Sequence, residues 1–130
     1  MRPEIRRFEA PDERREFEKG TFHVLHLGGM ALGRARYEPG WRWSEHVGAA
    51  QGESSCQVEH VGMVLVGRTV VAMDDGTEVE LGAGDLFYVP PGHDSWVVRD
   101  EPYESLHLLG ATEYAKASAG AGTRETPSAE

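Results

Sequence analysis

Cysteine is nearly absent: Cys56 is the one thiol among 130 residues, so no disulfide can form within the chain. Long apolar runs are missing too, and nothing approaches the ~20 residues of a membrane-spanning helix. Positive charge is scarce, with 13 Lys and Arg against 22 Asp and Glu for a net charge of -9. That balance, spread over both halves, argues against nucleic acid and against an anionic membrane as partners, because both are held by basic patches. A small neutral or cationic molecule is easier to accommodate. Neither a phosphate-cradling Gly-rich loop nor a Gly-x-Ser-x-Gly elbow occurs, and Ser54, Ser55 and Ser95 have no evident base beside them. Met1 is followed by charged residues rather than by an apolar stretch of signal-peptide length, which together with the lone thiol predicts a cytoplasmic protein.

What is present points to strands and turns. The length fits one domain with a continuous core, and 16 Gly, 7 Pro and short Val-rich runs favour an all-β chain. Residues 2–19 are charged at 12 of 18 positions and read as an extended arm or a short helical turn, with residues 1–20 lying on the body. Thr21–Leu27 and Met30–Tyr37 flank Gly28-Gly29 as a hairpin. Trp41–His46 alternates like a strand, and Gly48–Ser55 reads as a loop. Val61–Val66 and Thr69–Met73 are joined at Gly67-Arg68, which predicts a tight hairpin, and Asp74-Asp75-Gly76-Thr77 predicts the next. About ten short strands at this turn spacing imply a sandwich or barrel over residues 21–116. The small, polar residues from Ala117 to Glu130 predict a disordered tail.

Two glycine-punctuated stretches carry a resemblance. Gly84, Pro90 and Gly92 reproduce the spacing of the second cupin motif, with Ser95 at its histidine position and His93 two residues earlier. The first cupin motif falls without gaps on Gly48, Ser54, Cys56, His60 and Gly67, with its metal-ligand positions changed to Ser, Cys and His. A second placement starts at Gly40, makes His46 the first ligand, and needs an insertion before His60. Over roughly residues 30–110 the chain resembles the cupins. The resemblance implies a double-stranded β-helix, or jelly-roll, barrel with a metal inside it, and a homodimer paired through edge strands. Pro39–Val47, Ser55-Cys56-Gln57 and Pro91–Asp94 are similar to a subgroup of small stand-alone bacterial cupins of no settled activity.

Cys56 and His60 are four residues apart, so a continuous strand would aim both side chains at one face. A thiolate and an imidazole suit Zn, Cu, Ni or Fe better than Mg or Ca. The alternative is a packed thiol with a histidine hydrogen-bonded beside it. His93, held by the Pro-Pro-Gly turn, and His46 complete the candidate ligand set. His107 reads as a satisfied sheet histidine, and His23 and His26 fall on opposite faces of one early strand. Glu45 is the candidate general base, or a group that orients an imidazole. Trp41, Trp43, Tyr88 and Trp96, with Tyr103, are the candidate walls of a ligand pocket. The expected function is a divalent metal held inside the barrel and used on a small molecule, with dioxygenase, isomerase or lyase chemistry all allowed by the resemblance. A non-catalytic sensing or binding module is the alternative.

Overall fold

The structure, a computed structural model, describes residues 1–116. The tail expected over residues 117–130 lies outside the described residues. Period-two alternation of apolar and polar residues sets most of what forms. The described residues hold nine strands, β1 (Glu13–Phe17), β2 (Gly20–Leu27), β3 (Met30–Tyr37), β4 (His60–Val66), β5 (Arg68–Met73), β6 (Glu78–Gly82), β7 (Leu86–Val89), β8 (His93–Val97) and β9 (Tyr103–Leu109). They make a six-stranded sheet in the order β1-β2-β3-β9-β4-β7 and a three-stranded sheet in the order β6-β5-β8, all pairs antiparallel.

Alternate residues of both sheets point at one interior. Phe22 and Val24 of β2, Ala35 and Tyr37 of β3, Val64 of β4, Val97 of β8 and Tyr103 of β9 belong to one buried cluster. The Trp41, Tyr37 and Tyr103 rings stack in it, with centroids 3.7 Å and 5.5 Å apart. This is an all-β barrel, as the strand pattern predicts, in the jelly-roll form that the cupin resemblance implies.

The Gly28-Gly29 hairpin forms as expected: Leu27 pairs with Met30, and both glycines have positive φ, 58° and 82°. Four local expectations are corrected. First, of the extended arm and the helical turn expected before residue 20, Glu13–Phe17 takes the extended form, but as an edge strand paired with β2, so the second half of the expected arm belongs to the barrel sheet. Its Arg15 turns inward and donates to the carbonyl oxygens of Ala111, Thr112 and Tyr114. Second, the Trp41–His46 stretch leaves strand geometry after Arg42. A turn of π-helix (Ser44–Gly48) runs into one turn of α-helix, α1 (Ala49–Gln51). Asp94 causes this, because its carboxylate accepts the Ser44 amide (2.9 Å), the Ser44 hydroxyl (2.8 Å) and the Arg42 guanidinium (3.1 Å).

Third, Gly67 makes a corner and no hairpin. β4 pairs with β7 and β9, whereas β5 pairs with β6 and β8, so the chain changes sheets there. Gly67 sits at φ 79°, and a Cβ would meet the Pro102 carbonyl oxygen at 2.3 Å. Fourth, Cys56 and His60 are not on one continuous strand. β4 starts at His60, and Cys56 makes an isolated bridge to His93.

Candidate metal centre

That bridge brings two distant parts of the sequence together. The Cys56 amide donates to the His93 carbonyl (2.6 Å), and the Gly92 amide donates to the Cys56 carbonyl (2.8 Å). Directly opposed residues of an antiparallel pair carry their side chains on the same face. His60 arrives from the other sheet as the first inward residue of β4, paired with Val89 of β7. One ligand atom each from Cys56, His60 and His93 lies within 4.8 Å of the others, and all three residues are buried.

The donor chemistry fits a divalent transition metal. His93 donates its Nδ1–H to the Pro90 carbonyl oxygen (2.8 Å), which leaves Nε2 with its lone pair. This is the backbone anchoring that fixes the tautomer of a ligating imidazole. A thiolate and an imidazole on a tetrahedral ion, at ~2.3 Å and ~2.05 Å, stand about 3.6 Å apart. Cys56 Sγ and His60 Nε2 are 3.6 Å apart. Burial, helped by the nearby His107 and His93, pushes His60 down to about 2, and burial lowers His93 as well. Both imidazoles are therefore neutral at physiological pH. Burial pushes the Cys56 thiol up to about 11, so this thiol must lose its proton to an arriving ion. Without an ion the same 3.6 Å is an S–H···N contact.

Behind the cluster lies an interior cavity of about 40 Å³, walled by residues of both sheets that include His60, His93, Ser95, Phe87 and Val89. His93 and Ser95 share strand parity, and both face it. Two further residues of its wall bear on the site. His107 is 6 % exposed, with its ring centroid 5.2 Å from that of His60 and its Nε2 2.9 Å from Ser105 Oγ. Its Nδ1 is buried without a partner, so the expected satisfied sheet histidine is half satisfied. Tyr114 reaches in from the turn after β9, its ring 4.9 Å from His60 and its hydroxyl 2.5 Å from that of Tyr37. Inward parity with Tyr103 and Ser105 marks His107 in the sequence. Tyr114 has no such signal, because a turn held by Arg15 delivers it.

The remaining candidates are placed elsewhere. His46 is not brought to the cluster: it rides on the helical turn, where its Nδ1 accepts the Arg42 amide (2.9 Å). Glu45 is exposed on the same turn, and no carboxylate lines the interior cavity, so the geometry offers it no general-base role. Trp41 and Trp43 are core packing. Tyr88 is 58 % exposed on the outer face of β7 and donates to Glu59 Oε2 (2.6 Å). Trp96 faces outward under the Arg42 guanidinium, 4.2 Å from its ring. The aromatic wall is made instead by Tyr37, Phe87, Tyr103 and Tyr114, of which the pocket expectation had Tyr103 alone.

Fold, motif spacing and comparison agree on the class of protein. The EutQ-like cupin domain family matches residues 41–104. Over that segment, just under half of its length, the chain is similar to the EutQ-like cupin domain. Among solved structures, it is similar to a protein of unknown function from Rhizobium leguminosarum bv. viciae 3841, with TM-score 0.61 and 22 % identity over 84 % of this chain and 97 % of that one. The polyketide cyclase RemF from Streptomyces resistomycificus gives a TM-score of 0.59 and 17 % identity, covering 85 % and 80 %. A cupin-2 domain protein from Rhodospirillum rubrum gives 0.54 and 21 %, covering 82 % and 66 %. At these identities the likeness is one of fold alone. Comparison with curated proteins finds no match. The matched segment contains Cys56, His60 and His93 but ends before His107 and Tyr114. Among the described residues no helix is long and apolar enough to cross a membrane.

Proposed function

We propose that this cupin-like barrel holds one divalent transition-metal ion with Cys56, His60 and His93 and presents it to a small molecule in the interior cavity. The observation that supports this reading is the convergence of one buried thiol and two neutral imidazoles within 4.8 Å, with His93 already anchored through its other nitrogen. Three protein ligands leave a position open, as in catalytic rather than structural sites. Once bound, the ion supplies Lewis-acid or redox chemistry there. His60 and His93 line the cavity and Cys56 does not, which favours an open side that faces it. No Asp or Glu lines the cavity, so the groups with exchangeable protons that line it beside the two histidine ligands are His107 and the hydroxyls of Tyr37, Tyr103, Tyr114, Thr69, Ser95 and Ser105. The small volume favours the second reading, a binding or sensing module, over turnover of any large substrate.

Elemental analysis of protein purified without added metal tests the proposal. About one equivalent of Zn, Fe, Ni or Cu per chain is expected, and its loss in Cys56→Ala and His60→Ala. Metal-free protein whose melting temperature is unmoved by Zn²⁺ or Fe²⁺ would sink it. Thermal-shift screening of small molecules, followed by a search for product from each hit, separates enzyme from sensor.

A further inference from the structure

The metal cluster accounts for part of the interior cavity's wall, and the rest has features of its own. Among the residues that line it there is no Asp, Glu, Lys or Arg. A divalent ion held by one thiolate and two neutral imidazoles keeps a net charge of +1. Burying that charge without a counter-charge is costly. Asp94, Asp74 and Glu53 act on His93 and Cys56 from outside the cavity and no carboxylate lines it, so an anion from solution in the open position would balance the charge from within. Beside His60, the wall carries a buried group without a hydrogen-bond partner, His107 Nδ1. If the Ser105 hydroxyl donates to His107 Nε2, 2.9 Å away, the ring carries its proton on Nδ1 and becomes a donor. Val71, Leu81, Phe87 and Val89 supply the apolar remainder of the wall. Size sets the last limit: about 40 Å³ holds roughly three waters at ~10–15 Å³ of this measure each.

We propose that the cavity is a receptor for a small monoanion, a carboxylate of about one to three carbons, which completes the metal's ligand set and accepts a hydrogen bond from His107 Nδ1. This rests on the metal reading above and adds the ligand class to it. It also replaces the neutral or cationic partner expected from overall charge, because the acidic residues that make the chain negative are not the ones around the cavity.

The test loads the metal-free protein with Co²⁺ and follows its d–d and thiolate-to-cobalt absorption during titration with formate, acetate and propionate. Acetamide serves as the neutral counterpart of acetate and benzoate as an oversized anion. A saturable spectral change with acetate is expected, with acetamide and benzoate at least ~10-fold weaker. His107→Phe should keep one cobalt per chain yet bind acetate ~10- to 100-fold more weakly, the worth of a hydrogen bond to a charged group. His107→Asn, which keeps an amide donor near the place of Nδ1, should recover part of that loss. Absence of any thiolate–cobalt band overturns the metal reading itself. A normal cobalt spectrum that acetate does not change, or that acetamide changes equally well, overturns the anion receptor and leaves the metal site standing. Unchanged acetate binding in His107→Phe removes His107 from it.

Discussion

Acidification of the metal-free protein from pH 7 to pH 5 should remove a large part of its stability, because the barrel folds around histidines that cannot charge. Burial, with like-charge repulsion from neighbouring rings, holds His60 near 2, and burial holds His107 near 4, against an ordinary value of 6.5. A folded value below the unfolded one means that stability is complete above pH 6.5 and is lost as the pH falls from there toward the folded values. At pH 7 an unfolded histidine is about one quarter protonated and at pH 5 almost fully, while the folded ring binds no proton. The difference is about 2 kcal/mol for each of the two, so ~4 kcal/mol together, and His93 shifts in the same direction. Against a total of about 5–15 kcal/mol this is a large fraction. With a urea slope near ~2 kcal/mol/M it moves the midpoint down by about 2 M. The carboxylates fall mostly outside the window: the ion-paired Asp12 and Glu13 are held below their ordinary values of 3.8 and 4.5, so their contribution is lost as the pH falls through and below those values. Urea melts at pH 7 and pH 5 in the presence of a chelator decide the matter. His107→Phe should flatten the pH dependence by about 2 kcal/mol, whatever it does to stability at pH 7. Equal midpoints at the two pH values would refute the reasoning.

Other perturbations test the frame around the site. Arg15→Met removes the donors to the Ala111, Thr112 and Tyr114 carbonyls, and should cost about 2–4 kcal/mol and speed hydrogen exchange in residues 110–115. Gly33→Ala places a Cβ 2.3 Å from the Phe22 ring, so a loss of about 1–3 kcal/mol is expected, partly relieved when Phe22→Leu is added; strict additivity would show that the two do not touch. Asp94→Ala should expose the segment from Arg42 to Gln51 to proteolysis at a cost of about 1–3 kcal/mol, with a protease-resistant variant counting against the capping role of Asp94. Zinc at ~100 times its dissociation constant should stabilise the wild-type chain by about 2.7 kcal/mol and leave Cys56→Ala unmoved in the same denaturation assay.

Much of the fold is legible in residue order because period-two alternation and glycine turns are local signals. Phe22, Val24, Ala35 and Tyr37 fall inward in register with one another, and Gly28-Gly29 needs no tertiary context to turn. Trp41–His46 misleads because its alternation is real, but Asp94, fifty positions away from Ser44, captures the Ser44 amide and winds the chain into a helical turn. Gly67 misleads for a related reason: a tight two-residue connection looks the same whether the strands pair with each other or with different sheets. Cys56 and His60 are legible through the glycine spacing of the cupin motif, which sets them at ligand positions although the residue types there are changed. Tyr114 carries no motif at all, since it is the Arg15 guanidinium on β1 that places its turn.

Closure of the barrel and convergence of the ligands rest on the same backbone contact. Cys56 and His93 face each other because the Cys56 amide and carbonyl bond to the His93 carbonyl and the Gly92 amide, and those bonds also tie the loop before β4 to the start of β8. Neither uses the thiol. Cys56→Ala therefore keeps the bridge and removes only the sulphur, so any metal it loses is lost for want of a ligand. Cys56→Pro removes the amide donor and attacks the bridge itself. The site thus needs no separate scaffold: the hydrogen bonds that bring residues 56 and 93 together for folding deliver their side chains to a common point, and His60 enters from the opposite sheet.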